Sequence, residues 1–211
     1  MQFVHFGHSC VLAETDGARI LFDPGTFSRG FEDVRDLDAV LITHQHFDHL
    51  DGDRLPALLK ANPGAKLIID PGSQEAVEKL GLESRTALPG DTFTFGGTEV
   101  DVVGGHHAEI HRDLPAVPNV GYLLADGAFY HPGDALFVPD QQIDVLGLPT
   151  AAPWLKASEG IDFLRAVSPR VAVPIHEKIL AMPEMMYGMF KNLGPEGTEV
   201  RPLNPGEPVQ L

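Results

Sequence analysis

Three histidines and an aspartate fall within six positions in His44-Gln45-His46-Phe47-Asp48-His49. Imidazole nitrogens and carboxylate oxygens are donors for zinc, manganese and iron. Directly before them stands Ala39-Val40-Leu41-Ile42, a short, unbroken apolar run that predicts a buried strand over 39–43. In extended backbone, residues two apart face the same side, so His44 and His46 are expected to point together as the strand ends. The chain then turns, and Asp48 and His49 approach from a second direction. Four donors converging from two directions suit two adjacent cations better than one. The stretch reads as half of a dinuclear metal centre.

The other half must come from elsewhere in the chain. His106-His107 follows Gly104-Gly105 after an apolar strand, and either histidine qualifies. Asp134 sits in His131-Pro132-Gly133-Asp134, where the glycine permits a sharp turn. His176 ends Val171-Ala172-Val173-Pro174-Ile175. A donor at the end of each of three apolar strands is the pattern expected of ligands gathered at one edge of a sheet structure.

The elements that must position these groups follow from periodicity and punctuation. Strands are expected over 2–6, 9–14 and 18–22, the last after a Thr15-Asp16-Gly17 turn, and Asp23-Pro24-Gly25 stops the third. A helix over 55–61 breaks at Asn62-Pro63-Gly64, a strand covers 66–69, and Ser73 is placed to cap a helix running to Leu80. Gly96-Gly97 and Asp126-Gly127 mark hairpins between 92–95 and 98–103 and between 120–125 and 128–131. A strand over 143–148, a helix over 158–167, a strand over 171–175 and a Met-rich helix over 184–193 follow, its methionines read as core filling. The tail reads as irregular strand or loop. Strands precede helices in both 1–90 and 91–211 with no linker between, so residues 1–211 are taken as one α/β domain of two packed sheets with helices outside.

Bulk properties narrow the function. Fifteen basic and 30 acidic residues give a formal charge of −15, which argues against nucleic acid or an anionic membrane as the main partner. The single cysteine, Cys10, excludes an internal disulfide and a thiolate-rich zinc site, and it reads as a small buried apolar residue. No basic-then-apolar leader and no run of 18 apolar residues is visible, so a cytoplasmic protein is expected.

The order His44-x-His46-x-Asp48-His49, a later histidine, Gly133-Asp134, then His176 resembles the metallo-β-lactamase superfamily over residues 3–176 at least. Asp23-Pro24-Gly25 matches the aspartate-bearing strand end that precedes the first motif there. Gly7-His8-Ser9 resembles the branch that contains L-ascorbate-6-phosphate lactonase-like proteins and other metal-dependent hydrolases. The resemblance implies a four-layer αββα sandwich of two mixed sheets, with the site at the sheet edges. It implies that His44, His46 and His107 hold one metal, that Asp48, His49 and His176 hold a second, and that Asp134 bridges them. His107 is favoured over His106 because Gly105-His106-His107-Ala108-Glu109-Ile110-His111 resembles members of this branch. The chain departs from true β-lactamases, which lack a histidine at the position of His49. His46 stands where the flavodiiron branch carries a glutamate, and the acidic balance supplies no basic arm like that of the RNA-processing members.

The implied chemistry is metal-dependent hydrolysis. Two divalent cations about 3.5–4 Å apart lower the pKa of a shared water toward neutrality, and the resulting hydroxide attacks a small ester, lactone or phosphodiester. Asp48 and Asp134 are the catalytic carboxylates in this scheme. With the hydroxide they leave the four metal charges at about +1, enough to attract an anionic small molecule. Zinc fits donors without thiolate, as do manganese and iron. An iron-dependent oxidoreductase or dioxygenase on the same scaffold is the competing class. Asp23 and Thr43 either orient ligand histidines or cap strand ends. His8 and His111 either donate a proton to a leaving group or serve structure. Arg29, Arg112, Lys156 and Lys178 either favour anions or are solvated surface charge. Trp154 either walls a substrate pocket or packs beneath a helix.

Overall fold

The computed structural model describes residues 1–15 and 17–211. The turn expected at Thr15-Asp16-Gly17 includes Asp16, which lies outside the described residues. In chain order the elements are β1 (Gln2–His5), β2 (Val11–Glu14), β3 (Arg19–Phe22), β4 (Ala39–Ile42), α1 (Leu55–Ala61), β5 (Lys66–Ile69), α2 (Gln74–Lys79) and β6 (Arg85–Thr86). Then come β7 (Thr92–Phe95), β8 (Thr98–His106), β9 (Pro118–Leu124), β10 (Phe129–His131), β11 (Val145–Pro149), α3 (Ala157–Val167), β12 (Val171–Ile175), α4 (Glu184–Leu193), β13 (Glu199–Val200) and β14 (Val209–Gln210). One sheet runs β14-β1-β2-β3-β4-β5-β6 and the other β13-β12-β11-β10-β9-β8-β7. Both are mixed. The first is antiparallel from β14 to β3 and parallel from β3 to β6, and the second is parallel from β13 to β10 and antiparallel from β10 to β7.

The unbroken apolar runs are explained by burial on both faces. Ile20, Phe22 and Leu41 point between the sheets and meet Val100, Tyr122, Phe129 and Val173 from the other side. Their neighbours Leu21, Val40 and Ile42 point outward against Leu55 and Leu58 of α1 and Val77 of α2. In the second sheet Leu123, Leu146 and Leu148 point outward against Ile161 and Leu164 of α3 and Phe190 of α4. The period-two alternation thus separates a central core from two outer ones, which gives the expected helix–sheet–sheet–helix layering.

Several expectations differ. The tail, expected as irregular strand or loop, is loop that ends in β14, which pairs with β1 and so joins the first sheet. The methionines of α4 divide: Met186 packs against the outer core as expected, whereas Met185 and Met189 are exposed, as is Met182 before the helix. Phe190 seats on Gly160 of α3 and with Met186 meets that layer, while Met185 and Met189 stay exposed. Ser73 makes no side-chain cap to α2, because its hydroxyl donates to the Asp70 carboxylate instead. Strand β4 ends at Ile42, so His44 and His46 stand on the loop beyond it. Cys10 is fully buried, as expected. Among the described residues no helix is long and apolar enough to cross a membrane.

The sheets are stitched together at one end. The Val120 amide donates to the Thr43 carbonyl (2.9 Å) and the Tyr122 hydroxyl to the Ile42 carbonyl (2.9 Å). His131 Nε2 donates to the Ser9 carbonyl (2.9 Å), and the His176 amide to the His8 carbonyl (3.0 Å). Each bond joins the two sheets at the ends of β4, β10 and β12 and at the β1–β2 turn. Tyr122→Phe, which removes one buried stitch and leaves its acceptor unpaired, is expected to lower unfolding free energy in urea by about 1–2 kcal/mol. An unchanged denaturation midpoint would show that this bond holds nothing.

Candidate metal centre

At the stitched end the donors form two groups. His44, His46, His107 and Asp134 each place a ligand atom within 4.8 Å of the others, and so do His8, Asp48, His49 and His176. His44 Nε2 lies 3.0 Å from His46 Nδ1. Two donors on one cation at about 2.0–2.1 Å sit roughly 3.3 Å apart in a tetrahedron, so the spacing suits a shared ion. Asp134 joins the groups. Its Oδ2 is 3.5 Å from His107 Nε2 and 3.2 Å from His176 Nε2, and its Oδ1 is 3.1 Å from His49 Nε2. Asp48 Oδ2 is 3.3 Å from His176 Nε2. All seven donors named from the sequence are brought together here, and His8 stands with them. His106 ends β8 on the exposed side, while His107 stands with the other donors.

The outward nitrogens of four imidazoles are tied, which turns their other nitrogens inward. His49 Nδ1 donates to Asp23 Oδ2 (2.7 Å), His107 Nδ1 to the Ala108 carbonyl (2.5 Å) and His176 Nδ1 to the Ala151 carbonyl (2.5 Å). His44 Nδ1 donates to Thr43 Oγ1 (3.1 Å), whose own proton goes to Asp23 Oδ2 (2.7 Å). Asp23 and Thr43 therefore do orient histidines. Asp23 Oδ1 also accepts the Thr43 amide (2.7 Å). The inward atoms His49 Nε2, His107 Nε2, His176 Nε2 and Asp134 Oδ1 are buried without a hydrogen-bond partner. Buried polar atoms are seldom left so. Orphaned donors converging on two points fit divalent cations.

The backbone is shaped to this end. Asp23 (φ 44°), His8 (φ 54°) and His176 (φ 61°) all occupy the left-handed region, which is strained for residues other than glycine. Gly25 lies against the metal loop so closely that a Cβ would stand 1.7 Å from the Asp48 carbonyl oxygen. Gly133 (φ 62°) turns the chain into Asp134, and a Cβ there would meet Asn119 Oδ1 at 2.3 Å. Sequence reasoning missed Asn119, which is buried, accepts the Asp134 amide (2.9 Å) and donates to the Pro132 carbonyl (2.9 Å). Its only signal was one amide inside the apolar strand Pro118-Asn119-Val120-Gly121-Tyr122. Trp154 does more than pack: its buried indole N–H donates to Asp134 Oδ2 (2.9 Å).

The secondary candidates separate. His111 and Arg112 are exposed on the 106–117 loop, where with His107, Ile110 and Leu114 they line a cavity of ≈ 380 Å³. Arg29 donates to carbonyls of its own loop, Lys156 pairs with Glu159 at the start of α3, and Lys178 lies 3.5 Å from Glu177. Phe27 and Phe47 meet edge to face at 5.5 Å beside the site, with Phe47 largely exposed. A larger cavity of ≈ 560 Å³ along Lys66, Arg85 and Phe93 lies away from the histidines.

Charge and burial pull against each other here. Burial lowers His44, with its histidine neighbours adding to the effect. Burial raises Asp48 and Asp134, but the imidazoles around each outweigh it and hold both carboxyls well below the usual range. Burial lowers His176, yet the Asp134 and Asp48 carboxylates reverse this and raise it to about 9, while burial holds His8 down to about 4. The ordinary value for both is 6.5. The raised His176 stabilises the fold fully below pH 6.5, and that contribution is lost as pH rises through about 9. His8 is neutral when folded, so stability falls as pH drops from 6.5 toward about 4. Thermal melts of chelator-treated protein are therefore expected to peak near pH 6.5, and a melting temperature that climbs steadily to pH 9 would contradict these shifts. Asp23→Asn sets an amide where the Asp23 carboxylate accepts three hydrogen bonds, and zinc affinity measured by calorimetry is expected to fall about 10–100-fold. Unaltered affinity would remove Asp23 from the centre.

Comparison with known proteins agrees with this geometry. Residues 2–176 match the family described as the beta-lactamase superfamily domain. Protein Rv0786c of Mycobacterium tuberculosis (strain ATCC 25618 / H37Rv) is 52% identical over 86% of this chain and 86% of its own length. A UPF0173 metal-dependent hydrolase of Pyrobaculum islandicum is 30% identical over 83% of this chain and 84% of its own. Among solved structures, the metallo hydrolase Igni18 of Ignicoccus hospitalis superposes with a TM-score of 0.77 at 24% identity, over 99% of this chain and 97% of that one. The superposition shows the shared fold, and the sequence matches show descent. The chain belongs to the beta-lactamase superfamily, among relatives described as metal-dependent hydrolases.

Proposed function

We propose that this protein is a hydrolase that works with two divalent cations held in one buried cluster, acting on a small ester, lactone or phosphodiester. The observation that carries the reading is the pair of adjacent donor groups sharing Asp134, with their inward atoms unpartnered. His44, His46 and His107 with Asp134 would hold one cation, and Asp48, His49 and His176 with Asp134 the other. When bound, the cations would supply Lewis acidity and a water whose pKa is lowered toward neutrality. Donors limited to imidazole and carboxylate suit zinc, with manganese or iron as alternatives.

The chain's own residues set the rest of the chemistry. Asp134 is held by the Trp154 indole N–H on Oδ2, by Asn119 Oδ1 on its amide and by His49 Nε2 beside Oδ1, so its carboxylate stays between the two donor groups. Asp23 and Thr43 keep His44 and His49 as Nδ1–H tautomers, with Nε2 free to ligate. The cavity beneath the 106–117 loop opens beside His107, and its size suits a small molecule. Arg112 in its lining would favour an anion, and Phe27 with Phe47 offers an apolar rim on the other flank.

Trp154 is the only tryptophan and touches Asp134, so its fluorescence reads the centre directly. Chelation is expected to change that emission and to abolish hydrolysis in a screen of lactones, phosphodiesters and thioesters, with both restored by Zn²⁺ or Mn²⁺. Hydrolysis that persists in chelator would overturn the reading. A coloured, iron-loaded protein that consumes oxygen would instead place it in the oxidative class.

A further inference from the structure

His8 is the one histidine beside the centre for which the seven-donor scheme has no use. It lies on the turn between β1 and β2, and its side chain is fully buried. Its Nε2 stands 3.0 Å from Asp48 Oδ2, comparable to the 3.3 Å separating His176 Nε2 from the same oxygen. Its ring lies 4.0 Å from that of His176 and 5.9 Å from that of His49, centroid to centroid. One ligand atom from each of His8, Asp48, His49 and His176 lies within 4.8 Å of all the others.

The backbone brings this imidazole inward against strain. His8 has a φ of 54°, fixed by three hydrogen bonds: its amide donates to Glu177 Oε1 (3.1 Å), and its carbonyl accepts from the His176 amide (3.0 Å) and from His5 Nε2 (2.8 Å). The preceding Gly7 has a φ of 87°, and a Cβ there would fall 2.7 Å from Lys178 Cε. All three of those bonds involve only the His8 backbone, so any residue tolerant of the turn would make them. They give no reason for an imidazole. Burying one with Nδ1 unpartnered is unfavourable unless Nε2 makes a strong interaction.

We propose that His8 is an eighth donor, with Nε2 completing the second metal position alongside Asp48, His49 and His176. The inference rests on the dinuclear reading above. The second position then holds three imidazoles, Asp48 and an oxygen of Asp134, and is closed by protein on the side of the β1–β2 turn. The first position, with His46 half-buried and His107 lining the cavity, is the one left open to substrate. An acid role for His8 toward a leaving group is excluded on this view, because its Nε2 lone pair is committed.

The competing arrangement has His8 Nε2–H donate to Asp48 and touch no metal. The tautomer separates the two. In zinc-loaded protein labelled with ¹⁵N-histidine, the His8 ring, assigned through its own backbone correlations, is expected to carry its proton on Nδ1 with Nε2 at a zinc-bound shift. A proton on Nε2 overturns the proposal. This measurement uses the unaltered chain and so does not depend on a variant folding. In parallel, His8→Asn keeps a residue that tolerates positive φ and removes the ring. Calorimetric zinc titration is expected to show two ions in the unaltered protein, one of them weakened about tenfold or more in His8→Asn. Two ions at unchanged affinity in the variant overturn the proposal. A single ion in the unaltered protein overturns the dinuclear reading and this inference with it, whereas two ions beside a His8 Nε2–H overturn this inference alone.

Discussion

The buried carboxylate of Asp23 is the contact on which the centre depends. It closes β3 in a strained left-handed conformation and accepts three hydrogen bonds, from the Thr43 amide, the Thr43 hydroxyl and His49 Nδ1. Through the Thr43 hydroxyl it also fixes His44. One side chain thus sets the orientation of two metal-facing imidazoles and anchors the start of the loop that carries all four first-half donors. The loops on either side are locked to match. The Thr26 amide donates to the Phe47 carbonyl (2.9 Å), the Asp51 amide to the Pro24 carbonyl (3.1 Å), and Arg54 reaches the Gly25 and Ser28 carbonyls while pairing with Asp51 and Glu32. Gly25 is required because the two loops approach too closely for a side chain.

Neither sheet makes the centre alone. The first supplies His44, His46, Asp48 and His49, with His8 from its β1–β2 turn, while the second supplies His107, Asp134 and His176. What aligns them is the row of hydrogen bonds stitching Thr43 to Val120, Ile42 to Tyr122, Ser9 to His131 and His8 to His176. These bonds are short-range and directional, so a small shift of one sheet on the other would break several together. The central core supplies the force that keeps the sheets in contact, and the stitches set the register at the working end. Burial explains why the arrangement needs cations. So many inward-facing nitrogens and carboxylate oxygens carry an unfavourable desolvation cost that mutual pairing only partly offsets.

Much of this was legible in the sequence because the signals were local and physical. The strands β4, β5 and β12 show as short apolar runs, since both faces of each are covered. The donors stood out because several metal-binding residue types clustered at the ends of those runs. What escaped notice depended on contacts distant in the chain. Extended backbone would set His44 and His46 at the end of a strand, yet β4 stops at Ile42 and loop geometry aims them. Asn119 looked like one polar residue in an apolar strand, and only the folded turn at Gly133 shows it holding Asp134. The methionines of α4 have the composition of core, but only Met186 meets the outer layer, and Met185 and Met189 stay exposed. The pairing of β14 with β1 lies beyond any local pattern, because it joins the two ends of the chain.

The two donor groups are unequal in a way that bears on how a substrate would meet them. His44 and His49 are both fully buried, and their rings lie 4.0 Å apart, so the groups are in contact and share one enclosed floor. Their outer sides differ. The group with Asp48, His49 and His176 is backed by His8 and by the β1–β2 turn, which Glu177 and the His176 amide hold in place. The group with His44, His46 and His107 is bordered by the 106–117 loop, and the cavity under that loop gives the room a ligand needs. The strained residues His8, Asp23 and His176 all lie on the enclosed side, where strong packing and hydrogen bonding can maintain strain. The open side is built from loop, which carries the donor His107 and bonds to the Asp134 backbone through Ala108 before running out over the cavity. Fixed donors on one flank and an open loop wall on the other would leave that loop to select the substrate.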